Sequence, residues 1–436
     1  MKVLFLIPYS PLPANFGGAI RMYHILRLFS RDHEVTVAGF GTESERQMII
    51  DGFPRLQGRV YVTPPPYSKK RLAFAFIRSL FSRNSYWLSM TRSSALQKLI
   101  RQLTHIHRYD LVVHEFPVMG NYECATDGWR ILDAHNVEFD NFRRIAAGQV
   151  NLLKKLFYRL EMYKFRREEL AMAARQDMIL TTSVRDAHIF QKEIPGTTVR
   201  VIPNGVDMDF FTPDRTQPDP WSLVYIGVMS YTPNHDAMMY FLDEIFPLIK
   251  ESVPEAGISV VGGRPSESLQ KKGNRYVTVT GFVDDVRPYM NSASVYVVPL
   301  RMGGGTRLKI LEAMSMGIPV VSTSIGCEGL DVVHNESIMI ADTPEVFAET
   351  VITLLRDTKK AGKIADKARQ LAKEKYSWEV VGDRLREAIA ELRGKEKPVG
   401  EMLPQNSLAA HESDDRIVAA TGMHNLDQNH GKATLR

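Results

Sequence analysis

Cysteine is nearly missing from this chain of 436 residues, in which only Cys124 and Cys327 occur. Two thiols support neither a disulfide framework nor a cysteine-based zinc site, so a reducing, cytoplasmic setting is expected. Long apolar runs are missing too. The opening MKVLFLIPYS is too short for a secretory signal and reads as a first buried strand. No later stretch reaches the roughly 20 apolar residues of a spanning helix. A formal charge of +5 is mild, and without an RNA- or DNA-binding signature beside it, nucleic acid is not an expected partner. No GxGxxG fingerprint follows the first strand, which argues against a nicotinamide-dependent dehydrogenase.

One segment lacks acids altogether. Residues 69–92 carry Lys69, Lys70, Arg71, Arg78, Arg83 and Arg92, interleaved with Phe74, Phe76, Phe81, Tyr86 and Trp87. Such a pattern suits an amphipathic helix packed on its own domain. It equally suits a peripheral surface for anionic membrane, with bases near the headgroups and aromatics at the boundary.

Apolar residues make up 44% of the sequence, enough at this length for two cores and a cleft between them. Strand-like runs alternate with helical patterns: VLFLIP, HEVTVAGF, DLVVHEF, RILDAHN and DMILTTS, then SLVYIGV, ISVVGG, YVTVTGF, SVYVVPL and PVVSTS. That alternation predicts an α/β chain with two parallel sheets. A proline- and turn-rich stretch, VIPNGVDMDFFTPDRTQPDPWS, separates the two series. Expected units are an N-terminal domain over 1–205 and a C-terminal domain over 206–376. A helix at about 377–394 could lean back across either domain, and a polar, disordered tail is expected over 395–436.

The sharpest cluster is PLRMGGGTRLKILEAMSMGIPVVST, from Pro299 to Thr323, where a strand ends in Gly303, Gly304 and Gly305 and a helix follows at once. Glycines allow close approach of backbone amides, Thr306 is placed to cap the helix, and a helix N-terminus favours an anion such as a diphosphate. Arg307 and Lys309 add cations at an end where the helix dipole disfavours them, which again points to an anion. Glu312 lies on the face of Leu308, tilted back towards that end, and a carboxylate there can accept hydrogen bonds from ribose hydroxyls.

Here the sequence resembles glycosyltransferase family four, retaining enzymes of the GT-B fold. Further support comes from VIPNGVD, SLVYIGVMSYTPNHDA, VTVTGFVDDVRPYMNSASVYVVP and HNVE. The resemblance covers nearly the whole chain to about residue 395. It implies two Rossmann-like domains with parallel sheets facing a central cleft, the first for acceptor and the second for donor. It further implies a metal-independent hexosyl- or glycosyltransferase that needs no cofactor. The donor would be a UDP- or GDP-linked sugar, the acceptor a glycan or lipid-linked molecule, in polysaccharide or glycoconjugate synthesis.

By the same resemblance His135 contacts the donor sugar, and Gly17 and Gly18, with Arg21 one turn on, close over phosphates or the reacting sugar from the opposite side. Asn136 and Glu138 are acceptor candidates, Gly227 and Asn234 belong to the donor side, and Phe282 and Val283 border the base. His135, Glu312, Arg307 and Lys309 are the expected catalytic set. The family's first glutamate is replaced by Gly304, and its usual arginine and lysine by Val228 and Pro233. Arg307 and Lys309 are expected to replace those cations. A catalytically silent sugar-nucleotide-binding protein and a nucleotide-sugar epimerase are the alternatives. Asp207-Met208-Asp209 spells a metal motif of a different fold but sits in a turn, and His105 and His107 lack a third ligand; no metal is expected.

Overall fold

The computed structural model describes residues 1–148, 151–214, 218–303 and 307–395. The expected tail, apart from Lys395, and the calls on Gly304, Gly305 and Thr306 lie outside them. The first series of aliphatic runs forms β1 (Lys2–Ile7), β2 (Glu34–Phe40), β3 (Val60–Thr63), β4 (Leu111–Glu115), β5 (Trp129–Ala134), β6 (Met178–Thr181) and β7 (Thr198–Val201). They pair parallel in the order β3-β2-β1-β4-β5-β6-β7. The second sheet joins β8 (Ser222–Ile226), β9 (Gly257–Val261), β10 (Val277–Gly281), β11 (Val295–Val298), β12 (Val320–Ser322) and β13 (Met339–Ile340) in the order β10-β9-β8-β11-β12-β13, again all parallel. Helices cover both faces of each sheet. Strands such as β1, β2 and β4 are therefore buried at nearly every position and read as continuous apolar runs.

Eight helices matter below: α1 (Gly17–Asp32), α2 (Lys69–Phe81), α3 (Tyr86–Thr91), α4 (Glu138–Gly148), α5 (Leu152–Ala173), α6 (Thr232–Tyr240), α7 (Leu308–Ser315) and α8 (Trp378–Gly394). None of the described helices is long and apolar enough to cross a membrane.

Strand order reverses between β1 and β4 in one sheet and between β8 and β11 in the other. Open parallel sheets bind ligands outside the carboxyl ends of strands at such points. The chain crosses between the sheets twice, after β7 and again before α8. That helix buries Trp378, Val381, Leu385 and Ile389 in the first sheet's core. Its entry is fixed by a hydrogen bond from the Val206 N–H to the Tyr376 carbonyl at 2.7 Å and by the Trp378 ring, which stacks on His24 at 4.2 Å. Only glycine fits at 205, because a Cβ there would lie 2.6 Å from the Trp378 ring.

Arg21 corrects the expectation that it faces a ligand: it is 0% exposed. Position 21 is on the side of α1 turned to the sheet, so its charge is buried and requires partners. Asp133 of β5 provides them, with its Oδ1 accepting from Nη2 at 2.6 Å and its Oδ2 from Nε at 2.9 Å. Nη1 donates to the Ile202 carbonyl at 2.9 Å and to Asn204 Oδ1 at 3.0 Å. One side chain thus ties α1, β5 and the start of the first crossover together. Arg21→Met leaves the Asp133 carboxylate buried and uncompensated and is expected to cost about 3–5 kcal/mol in equilibrium denaturation. A cost below about 1 kcal/mol would show that Asp133 is neutralised by something else.

Candidate active site

The carboxyl ends of β1, β4 and β5 converge on His135. Its Nε2 lies 2.7 Å from Glu115 Oε2 at the end of β4 and 3.7 Å from Asp133 Oδ2. Burial holds the imidazole down, to about 3, against the opposing pull of Asp133. Burial, with Asp133 adding to it, pushes the Glu115 carboxyl well above the usual carboxylate range. Burial thus favours the neutral form of each group. With both neutral, a Glu115 O–H can donate to Nε2, which leaves the imidazole proton on Nδ1. The Phe116 ring covers the imidazole at a centroid distance of 3.8 Å. Phe116 holds a φ of 65°, backbone that favours glycine, and such strain persists where the surroundings over-determine it. Tyr9 packs against Phe116 with centroids 5.5 Å apart, and a Cβ at Gly18 would collide with the Tyr9 hydroxyl. The glycine at 18 is thus a requirement of this packing.

The second half-site lies at the ends of β8 and β11. Helix α7 starts at Leu308, with Arg307 in the N-cap position and making no side-chain cap. This corrects the placement of Arg307 in the first turn. Its buried guanidinium packs beside Gly303, whose φ is 112°, and donates to the Ile325 carbonyl at 3.4 Å. Lys309 is half-buried and donates to Tyr225 Oη at 2.8 Å and Asn234 Oδ1 at 2.9 Å. Both acceptors are neutral. Burial, and next the nearby Arg307, lower the Lys309 ammonium to about 7. Gly227 ends β8 directly against this cluster: a Cβ there would lie 2.8 Å from Asn234 Nδ2 and 2.9 Å from Lys309 Nζ. Burial also raises Glu312 to about 7, moderated by Lys309, and its carboxylate makes no hydrogen bond among the described residues.

The two half-sites face each other. A Cβ at Gly17 would lie 3.5 Å from Leu308 Cδ1. Arg144 of α4 grips Glu328 with bonds of 2.6 and 3.0 Å and also reaches the Gly303 carbonyl at 3.3 Å. Arg185 adds a longer ion pair to Glu328 at 3.5 Å.

Comparison with known proteins bears on the same regions. Residues 221–357 match the family described as "Glycosyl transferases group 1". An uncharacterized 44.6 kDa protein in the cps region of Klebsiella pneumoniae is 24% identical over 86% of this chain and 96% of its own length. The GDP-mannose-dependent alpha-(1-6)-phosphatidylinositol monomannoside mannosyltransferase of Mycobacterium tuberculosis is 27% identical over 44% of this chain, which spans only 55% of that relative. The crystal structure of Anabaena HepE in complex with UDP and glucose superposes with a TM-score of 0.63 at 15% identity, covering 90% of this chain and 100% of that one. The second domain thus matches the group 1 glycosyltransferases. The fold of the chain is GT-B.

Not every expected residue comes to the centre. Phe282 is 75% exposed at the rim, while Val283 packs on the second domain's core. Asn136 donates to Glu138 at 3.4 Å, and burial raises the Glu138 carboxyl. Asp207 spends its Oδ1 on the N–H groups of Asp209 and Phe210 at 3.1 and 2.9 Å, a turn-supporting role. Glu115, Asp133 and His135 bring ligand-type atoms within 4.8 Å of one another. That trio suits a cation poorly, because Arg21 already neutralises Asp133 and Glu115 is hydrogen-bonded to His135.

Sequence reasoning missed Glu115, Phe116, Tyr225, Arg144 and Glu328. Glu115 alone carried a signal, a carboxylate closing an apolar strand run. With its pKa lowered, His135 is expected to remain neutral in an NMR titration from pH about 8 down to about 4. A midpoint near the ordinary 6.5 would contradict the buried, shared-proton arrangement.

Proposed function

We propose that the chain transfers a sugar from a nucleoside diphosphate donor, UDP- or GDP-linked, to a glycan or lipid-linked acceptor with retention of configuration. The observation that carries this reading is Lys309, a half-buried amine held against the neutral oxygens of Tyr225 and Asn234 at the mouth of α7, on the side of His135's half of the cleft. A diphosphate would supply the missing negative charge, with Arg307 and the amides opening α7 beside it. Glu312 would take the ribose hydroxyls. Lys309 and Arg307 then carry the positive charge that a divalent cation brings elsewhere, and the reading calls for neither a metal nor a cofactor. The names of relatives support both bases: HepE was solved with UDP, and the mycobacterial relative uses GDP-mannose. The Klebsiella relative's cps region supports a role in polysaccharide synthesis.

Retention by two displacements needs a carboxylate nucleophile. The carboxylates nearest His135 are Glu115, which is bound to it, and Asp133, which is bound to Arg21. Same-face substitution is therefore the mechanism supported: the diphosphate leaves towards Lys309 and takes the acceptor proton, while His135 donates its Nδ1–H towards the donor sugar. Closure of the cleft keeps water out. The acid-free segment 69–92 supports a peripheral position on an anionic membrane at its cytoplasmic face.

His135→Ala should lower turnover on the order of 10²–10³-fold while leaving nucleotide affinity nearly unchanged; full activity would remove its role. Lys309→Ala should weaken nucleoside diphosphate binding about ten- to a hundredfold, and unaltered affinity would show that the diphosphate sits elsewhere. A nucleotide-sugar panel read by thermal shift identifies the donor, since a ligand of the native state raises the unfolding temperature with its concentration over Kd. Protection by no nucleotide sugar would sink the transferase reading.

A further inference from the structure

The first domain presents a cationic, apolar face that the cleft does not use. Ser68 caps α2 by accepting from the Arg71 N–H, and Phe74, Ile77 and Phe81 follow at helical spacing on its exposed side. Phe81 is 88% exposed. The Phe76 ring rests on Phe157 of α5 at a centroid distance of 5.3 Å, joining this stripe to Leu152, Leu153 and Leu156. Leu153 is 80% exposed. From below, the carboxylates of α5 hold the segment: Glu161 accepts from the Tyr86 N–H at 2.7 Å and Glu168 from the Ser85 N–H at 2.9 Å. The acids are spent inward and the bases are left outward.

Between α2 and α3 lies a cavity of about 200 Å³ lined by Arg71, Arg78 and Arg92 with Phe74, Asn84 and Ser89. Arg71 and Arg78 share one helix face, and Arg71 also donates to the Arg92 carbonyl. None of the three guanidinium groups pairs with a carboxylate among the described residues. Three like charges around one small cavity repel unless an anion joins them. At this volume the cavity suits a single phosphate group better than a nucleotide. Phe74 belongs both to the cavity wall and to the apolar stripe, so a phosphate bound there would have its lipid chains beside Ile77 and Phe81. We propose that this cavity binds the phosphate of an anionic lipid, with Phe81, Ile77 and Leu153 entering the apolar layer below the headgroups. This deepens the membrane reading above and is independent of the donor half of the cleft, so either can fail alone.

The test is sedimentation of the full chain with phosphatidylcholine vesicles, with and without phosphatidylglycerol. Wild type should bind only the anionic vesicles, and the double variant Arg78→Gln/Arg92→Gln should weaken partition by roughly fivefold for each charge removed. The double variant Lys154→Gln/Arg159→Gln removes equal charge outside the cavity and should lose clearly less. Phe81→Ser, with charge intact, should also weaken binding. All four positions of the double variants are exposed, so unfolding temperatures should stay at the wild-type value and separate lost binding from lost fold. Indifference of the wild type to phosphatidylglycerol would overturn the proposal. Equal losses from the two double variants would overturn the cavity, and binding of inorganic phosphate without vesicle binding would overturn the lipid.

Discussion

The buried ion pair between Arg21 and Asp133 is the constraint on which the rest depends. It fixes α1 to β5 and to the start of the crossover into the second domain. It also sets the electrostatics of the site: Asp133 raises the affinity of both Glu115 and His135 for protons, and Arg21 opposes it. Burial is the largest influence on both Glu115 and His135 and favours their neutral forms. Breaking such a pair by removing one partner strands the other charge in the interior. The feature that holds the fold thus also prepares the chemistry.

The half-sites are built on opposite principles. The one around His135 is neutral, packed by aromatic rings and dependent on Gly18 to admit Tyr9. The one around Lys309 is cationic and depends on Gly227 to let an ammonium and an amide approach the strand end. The bridge between them is weaker than either. Arg144 and Glu328 are both partly exposed, and such a pair contributes on the order of 1 kcal/mol or less. A bridge of that strength orients the domains without locking them, as a cleft that must admit a donor and release a diphosphate requires.

Much of the fold was legible because parallel strands buried on two faces leave an unmistakable trace: uninterrupted aliphatic runs at regular intervals, divided here by one proline-rich stretch. Lys309 was legible from the glycine-rich turn before its helix, Gly227 and Asn234 through family resemblance, and the structure brings the three together. Arg21 was misread because its partner is 112 positions away, and a basic residue after a glycine pair looks the same whether it points out or in. Arg144 and Glu328, 184 positions apart, carry no local signal of their meeting. The start of α7 was placed too early because Thr306 is a better capping residue than Arg307; the helix begins only at Leu308.

The central claim is that Lys309 waits for a diphosphate. Its ammonium is lowered to about 7 by burial and by Arg307, so above that pH the free protein holds it mostly neutral. An anion favours the charged form, and binding must therefore draw a proton from solution. Calorimetry of UDP and GDP binding above pH about 7, in buffers of different ionisation enthalpy, measures that uptake directly. The account predicts net uptake of a sizeable fraction of one proton by wild type and its loss in Lys309→Met. Binding without proton uptake, or with the same uptake in the variant, would contradict it.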